Sequence, residues 1–393
     1  MGAELDGLLQ NVERIRAVLE EQAEFAEVER RLPDVVYDAM IDARLFRTLA
    51  PKAFEGLELH PVEHCRVVEA IARIDSAAAW NVNQTTVAAG FVPWMEERGG
   101  EEVYANGPDV IFSGGYFPPG PSVRVEGGWR VTCRSSFVSG CDRAQWFMMP
   151  VLEVDDKNSK FDPRTEDPPT IGAFVPRDEV DLIDTWHTVG MRGTSSADVS
   201  ADDVFVPDHR IAFLESPHVR PPAFSGPLFG LWPWTSGHGE TAVSLGVARA
   251  AIDKLTELVT RKTPSYGRTQ LRDREMAQHH AAKATALVDA SRAFLDASIS
   301  EAYSEVEREG HYCEETKLRC QLAECFGVEA CAEAVDLVYQ VSGSSAFRIE
   351  EGIERHHRDI HVLTQHAYKS YSRYEDVGKM QFGLPPTFWT LRL

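Results

Sequence analysis

Four of the chain's thirteen histidines fall within residues 354–366, "ERHHRDIHVLTQH". On a helix, Glu354, His357 and His361 stand at i, i+3 and i+7, share one face and are residue types that bind Zn²⁺. Such spacing is common on surfaces and no further ligand is evident, so a solvated polar face without metal is the expectation. His366 differs. Val362, Leu363 and Asp359 precede it at four, three and seven residues, giving a mostly apolar helix face that points inward. An imidazole there can donate from one nitrogen and accept at the other, which suits proton handling; a structural histidine bonded to backbone is the plain alternative.

Other chemistries are poorly represented. Seven cysteines (65, 133, 141, 313, 320, 325, 331) are scattered without a CxxC pair, which suits reduced thiols in a cytoplasm better than a disulfide framework. Forty Lys plus Arg against 61 Asp plus Glu leave a formal charge of −21, which repels nucleic acid and anionic lipid. The N-terminus lacks a basic region followed by an apolar one, and no apolar run approaches the roughly 20 residues that cross a bilayer. A soluble cytoplasmic protein with neither nucleic-acid nor membrane partner is expected. No GxGxxG dinucleotide fingerprint appears.

The elements that must position these residues fall in three blocks. Leu5, Leu8, Leu9, Val12, Ile15, Val18 and Leu19 recur at helical spacing, and further helical stretches continue to about residue 110. From Val110 the pattern changes. "SVRVEGGWRVTC" alternates about a Glu-Gly-Gly turn and reads as a hairpin, and "TIGAFVP", "VDLIDTW" and "DVSADDVFVP" read as strands, with an acidic loop at 155–167. After a Pro-rich connector, "SPHVRPPAFSGPLFGLWPW", four amphipathic stretches predict an antiparallel four-helix bundle, its last helix running through the histidine cluster. The expected organisation is a helical domain over 1–110, a small β domain over 111–215 and the bundle over 230–393, a mainly helical α+β chain.

Helices, β domain and bundle in this order resemble the acyl-CoA dehydrogenase superfamily over nearly the whole chain. "GMRGTSSADVSADDVFVPDHRI" resembles that family's stretch closing the β domain, and "QVSGSSAF" its Gln-x-x-Gly-Gly segment. The dehydrogenase chemistry needs a carboxylate to take a proton α to a thioester. Placing the family's Arg-Asp on Arg358-Asp359 puts the commonest Glu position on Ala367; a second location, earlier in the bundle, falls near Glu240. The thioester-contacting segment is also absent, replaced by "IFSGGYFPPGPSV". Instead "RSSFVSGCDRAQWFMM" and "RHHRDIHVLTQH" look like the oxygenase components of two-component, reduced-flavin-dependent monooxygenases, a branch with phenol hydroxylases, dibenzothiophene oxygenase and amino-sugar N-oxygenases.

That resemblance implies reduced FMN, with FAD as the alternative, delivered by a separate NAD(P)H:flavin reductase. It also implies O₂ addition at flavin C4a and transfer of one oxygen atom to a small aromatic or amine substrate. Ser139 matches the Ser that meets the flavin, and His366 the His set against flavin or substrate; both are candidate catalytic residues, each with a structural alternative. Trp80 is a candidate flavin wall. Arg268 and Gln278 match an Arg and a Gln facing the flavin of a neighbouring subunit, with Arg272 or Arg274 near the phosphate, so a homotetramer or homodimer follows. Ser113, Phe117, Trp232 and Trp234 are candidate substrate contacts; among the aromatics, Trp129, Trp146 and Phe229 could equally be core. Phenol-hydroxylating relatives carry a His about two turns after the tryptophan, where this chain has Ala88. The alternatives are an FAD-dependent acyl-CoA dehydrogenase with Glu240 as base, and an inactive homologue that only binds.

Overall fold

In the computed structural model, residues 2–155, 171–214, 219–231, 236–265, 267–388 and 391 are described. Six helices come first: α1 (Ala3–Glu21), α2 (Ala23–Glu29), α3 (Asp34–Asp42), α4 (Pro61–Ala72), α5 (Ser76–Ala89) and α6 (Glu97–Val103). The periodic leucines of α1 do what their spacing predicts: Leu5, Leu8, Val12, Ile15 and Leu19 are all buried. Burial on α5 runs nearly all round, because its small residues let α4 and the bundle approach closely. The Asp75 carboxylate caps this helix by accepting the Ala78 N–H at 2.8 Å, and so fixes where Trp80 begins its second turn.

Eight strands follow: β1 (Phe112–Gly114), β2 (Gly120–Val125), β3 (Gly128–Val138), β4 (Trp146–Glu153), β5 (Ile171–Pro176), β6 (Asp181–Ile183), β7 (Ala197–Pro207) and β8 (Ile211–Phe213). They form one sheet in the order β6-β7-β3-β2-β4-β5-β8, with β1 parallel to β4. The expected hairpin is β2–β3, pairing Val125 with Gly128. Residues 156–170, most of the expected acidic loop, lie outside the described residues. The β3–β7 register slips between Ser135 and Val138. This bulge holds Phe137 at φ +61° and turns its ring out to 74 % exposure.

Three long helices, α7 (Ser236–Arg261), α8 (Glu275–Glu309) and α9 (Glu314–Ser342), pack on one another, and the shorter α10 (Ile353–Leu363) lies against α7 and α9; α11 (Ser372–Gln381) closes on α9. The expected last helix is therefore shorter than the histidine cluster. It stops at Leu363, where the N–H groups of Gln365 and His366 turn to carbonyls three residues back, and His366 sits in the turn beyond. Among the described residues no helix is long and apolar enough to cross a membrane.

Candidate active site

A cavity of about 440 Å³ opens between α5, the end of β3, the loop before β7 and the turn after α10. Trp80, Phe137, Trp186, Met191, Val362 and Leu363 make most of its wall apolar, and Ser139, Thr194 and Ser196 form a polar strip within it. The strip is internally bonded. Ser139 Oγ accepts the Trp80 indole N–H at 2.9 Å and lies 2.8 Å from Ser196 Oγ, which is 2.7 Å from Thr194 Oγ1. Gly140, at φ +69°, lets the chain turn away immediately after Ser139 while its N–H bonds the Thr194 carbonyl.

His366 reaches the cavity as the sequence predicts, although from a turn and not from a helix face. Its ring meets Trp80 edge-on at 5.4 Å. Its Nδ1 is buried, 3.1 Å from Glu240 Oε2, while the residue lines the cavity. Beyond it, Lys369 Nζ lies 3.6 Å from Glu240 and 2.7 Å from Glu324, and His238 Nδ1 lies 2.7 Å from the other Glu324 oxygen. Burial works to raise the Glu240 carboxyl, but the charges of His366 and Lys369 and hydrogen bonds from His366 and Gln84 outweigh it, holding it at about 2. Glu324 is lowered for the same reason, by Lys369 and His238 against burial.

The other expected residues divide. Phe117 lines the cavity mouth. Ser113 does not reach the cavity: it is fully buried and donates its hydroxyl to the Ser139 carbonyl at 2.6 Å, so it shapes the strand end and cannot contact substrate there. Trp129 packs on Phe213, Trp146 lies under the Arg210 guanidinium and Phe229 packs on Phe224, so these three belong to the core. Trp232 and Trp234 lie outside the described residues. Arg268 and Gln278 are exposed near the start of α8, away from the cavity, with Gln278 donating to the Arg272 carbonyl. On the polar side of α10, His357 and His361 meet Asp336 of α9 at 3.3 and 2.9 Å, while Glu354 holds Arg358 and not the histidines.

Several lining residues escape a sequence reading. Gln84 follows Trp80 by one helical turn, and that spacing could have found it. Tyr116, Phe137, Trp186 and Tyr368 come from loops and a bulge whose path no periodicity encodes. Ala367 lines the same cavity, beside His366, and has no group that could accept a proton. Ala88 is buried in a separate core cluster with Phe91.

The donor set suits a flavin. The volume is within the roughly 300–1,000 Å³ of small-molecule sites, the walls offer flat aromatic faces, and Ser139 presents a neutral hydroxyl that adds no charge.

Comparison with known proteins agrees with this geometry. Residues 8–102 match the family "Acyl-CoA dehydrogenase, N-terminal domain" and residues 239–371 "Acyl-CoA dehydrogenase, C-terminal domain". The chain is 30 % identical over 361 residues to an indole-3-acetate monooxygenase of Pseudomonas putida, covering 91 % of this chain and 89 % of that one. It is 27 % identical over 389 residues to the flavin-dependent monooxygenase oxygenase subunit HsaA of Rhodococcus jostii, covering 96 % and 99 %. The crystal structure of 3-HSA hydroxylase from Rhodococcus sp. RHA1 superposes with a TM-score of 0.86 at 25 % identity, covering 97 % and 98 %. In fold alone the chain also matches XiaF from Streptomyces sp. in complex with FADH2 and glycerol, with a TM-score of 0.89 at 24 % identity, covering 97 % and 96 %. The chain belongs to the acyl-CoA dehydrogenase-like oxygenase components of two-component flavin-dependent monooxygenases, enzymes that hydroxylate small aromatic substrates with reduced flavin.

Proposed function

We propose that this oxygenase takes reduced FMN from a separate NAD(P)H:flavin reductase, holds it in the cavity beside Trp80 and Ser139, and hydroxylates a neutral, flat aromatic substrate. The observation that carries this reading is the cavity itself, where Trp80, Ser139 and His366 converge and Ala367, at the position the resemblance gives to a dehydrogenase base, offers no proton acceptor. A bound reduced flavin supplies two electrons and the activation of O₂. The chain's residues do the rest. Trp80, Met191 and Leu363 exclude water, Ser139 offers a hydrogen bond without charge, and His366 holds or moves a proton at Nε2.

The substrate class follows from the wall. Among the described lining residues, His366 aside, none is a cation, so a substrate carboxylate has no guanidinium or ammonium to pair with there. An uncharged ring such as indole is therefore favoured over its acetate, even though a relative is named for indole-3-acetate.

FAD is the second reading for the flavin. The exposed Arg268 and Gln278 support a homotetramer or homodimer in which they meet a neighbour's flavin. All seven cysteines are free thiols, six of them buried, which supports a reducing cytoplasm. The dehydrogenase reading is weakened by Glu240, which is tied to His366 and Lys369 and does not line the cavity.

The deciding experiment mixes protein and reduced FMN with O₂ in a stopped-flow instrument. The expected result is a transient near-ultraviolet absorbance preceding oxidised flavin, with hydroxylated product from indole exceeding that from indole-3-acetate. Flavin oxidation at its free-solution rate would overturn the reading.

A further inference from the structure

Behind His366 lies a set of ionisable side chains that none of the roles above uses. Glu240, Glu324, Lys369 and His238 are each at most 4 % exposed, in the apolar centre of the bundle. A lone charge in such surroundings costs several kcal/mol, yet these four alternate in a row that ends at His366, which lines the cavity. Glu240 Oε2 lies 3.1 Å from His366 Nδ1, and both atoms are buried with no other hydrogen-bond partner among the described residues. The other Glu240 oxygen accepts the Gln84 amide N–H at 3.1 Å, so the carboxylate is held from two sides and cannot rotate away.

We propose that Glu240 is the positioning residue of His366: its carboxylate accepts a hydrogen bond from the Nδ1–H, fixes that tautomer, and leaves Nε2 as the ring nitrogen that meets substrate or cofactor. The inference rests on the functional reading above for what Nε2 meets, and on geometry alone for the tautomer. Glu240 acts only through the imidazole, since it does not line the cavity. Lys369 keeps Glu240 ionised and is itself shared with Glu324, which His238 and Gln321 hold in turn. Two carboxylates and one ammonium leave one negative charge in this core, so a second proton taken by His366 at Nε2 makes an imidazolium that the cluster neutralises. The titratable groups around His366 are Glu240 from α7 and Tyr368 from its own turn, with Tyr116 from the segment after β1 against Tyr368, Lys369 against Glu240, and Glu324 of α9 and His238 of α7 beyond Lys369.

The test uses the flavin-free full chain labelled with ¹⁵N-histidine. Long-range ¹H–¹⁵N spectra report which ring nitrogen carries the proton, and the signal lost in His366→Gln identifies His366. The expected wild-type pattern is a proton on Nδ1; a proton on Nε2, or fast averaging between both, overturns the proposal without any variant. In Glu240→Gln the fixed tautomer should give way to averaging. Under turnover with reduced flavin, kcat of Glu240→Gln should fall about 10–100-fold, as for other orienting partners of a functional histidine, with substrate KM within about twofold. A raised KM with unchanged kcat overturns the positioning role. If wild type performs no flavin-dependent oxygenation, the functional reading fails while the tautomer spectrum still decides this inference.

Discussion

The Asp359 carboxylate of α10 accepts the backbone N–H of Met191 at 2.6 Å, across the junction between the bundle and the loop that leads into β7. Its second oxygen accepts the Ser76 hydroxyl at 2.6 Å, at the start of the helix that carries Trp80. Arg355 approaches the same carboxylate and bonds Asp75, the cap of that helix, at 2.8 Å. One buried acid thus ties together three segments that wall the cavity. Asp359→Ala removes its hydrogen bonds and leaves Arg355 less compensated. The expected loss is about 3–5 kcal/mol, the usual cost of breaking a buried pair, read as a shift in the denaturant midpoint.

Close contact at the same junction explains a glycine in "GMRGTSS". A Cβ added to Gly190 would lie 2.6 Å from the Arg358 carbonyl carbon and oxygen, which are backbone atoms that cannot swing aside. Gly190→Ala should therefore destabilise by roughly 1–3 kcal/mol, the range for overpacking. Thermal unfolding of the purified variant checks this, and an unchanged midpoint would contradict it.

His366 and His361 should separate by function. His366→Ala removes the imidazole from the cavity wall, and the rate of product formation should fall on the order of 100-fold, the lower range for a lost proton-handling group. His361 points to Asp336 on the outer side of α10, so His361→Ala should leave turnover within about twofold.

Ser139 predicts a binding effect. Ser139→Ala deletes the hydroxyl that accepts the Trp80 N–H and meets Ser196, within the polar strip proposed to face the flavin. Reduced-flavin affinity should weaken about tenfold, or about 1.4 kcal/mol, the size of one hydrogen bond lost without replacement. Anaerobic titration measures it.

Acid stability has an identifiable donor. His64 is buried between Thr48 at 3.0 Å and Asn83 at 3.3 Å, and burial pushes its imidazole from 6.5 down to about 4, against a small opposing effect of the Asn83 hydrogen bond. The unfolded chain therefore binds the extra proton first, so this contribution is complete above about pH 6.5 and is lost as pH falls toward 4. At its limit the loss is roughly 3 kcal/mol. His64→Gln should flatten the dependence of the urea midpoint between pH 7 and 4.5, whatever its effect at pH 7.

The amino-acid sequence by itself determined the order of elements, the α1 core face and the β2–β3 hairpin, because each depends on residues a few positions apart; His366 faces the cavity, but from a turn that helical spacing does not describe. Once the resemblance assigns a base position to Ala367, the absence of a base there is a matter of residue type. Tertiary structure decided the rest. Ser113 looked like a wall residue and turned out to be bonded to a backbone carbonyl, since only the packing of β1 against the end of β3 determines which way its hydroxyl points. Phe137 and Trp186 became wall because a bulge and a loop crossing bring them together at a ring distance of 6.3 Å. Glu240 changed meaning most. In the chain it stands 126 residues before His366; folded, it lies 3.1 Å from that imidazole with Lys369 behind it. Long-range electrostatics of this kind leave no periodic trace, because they depend on distance through the core and not on spacing along the chain.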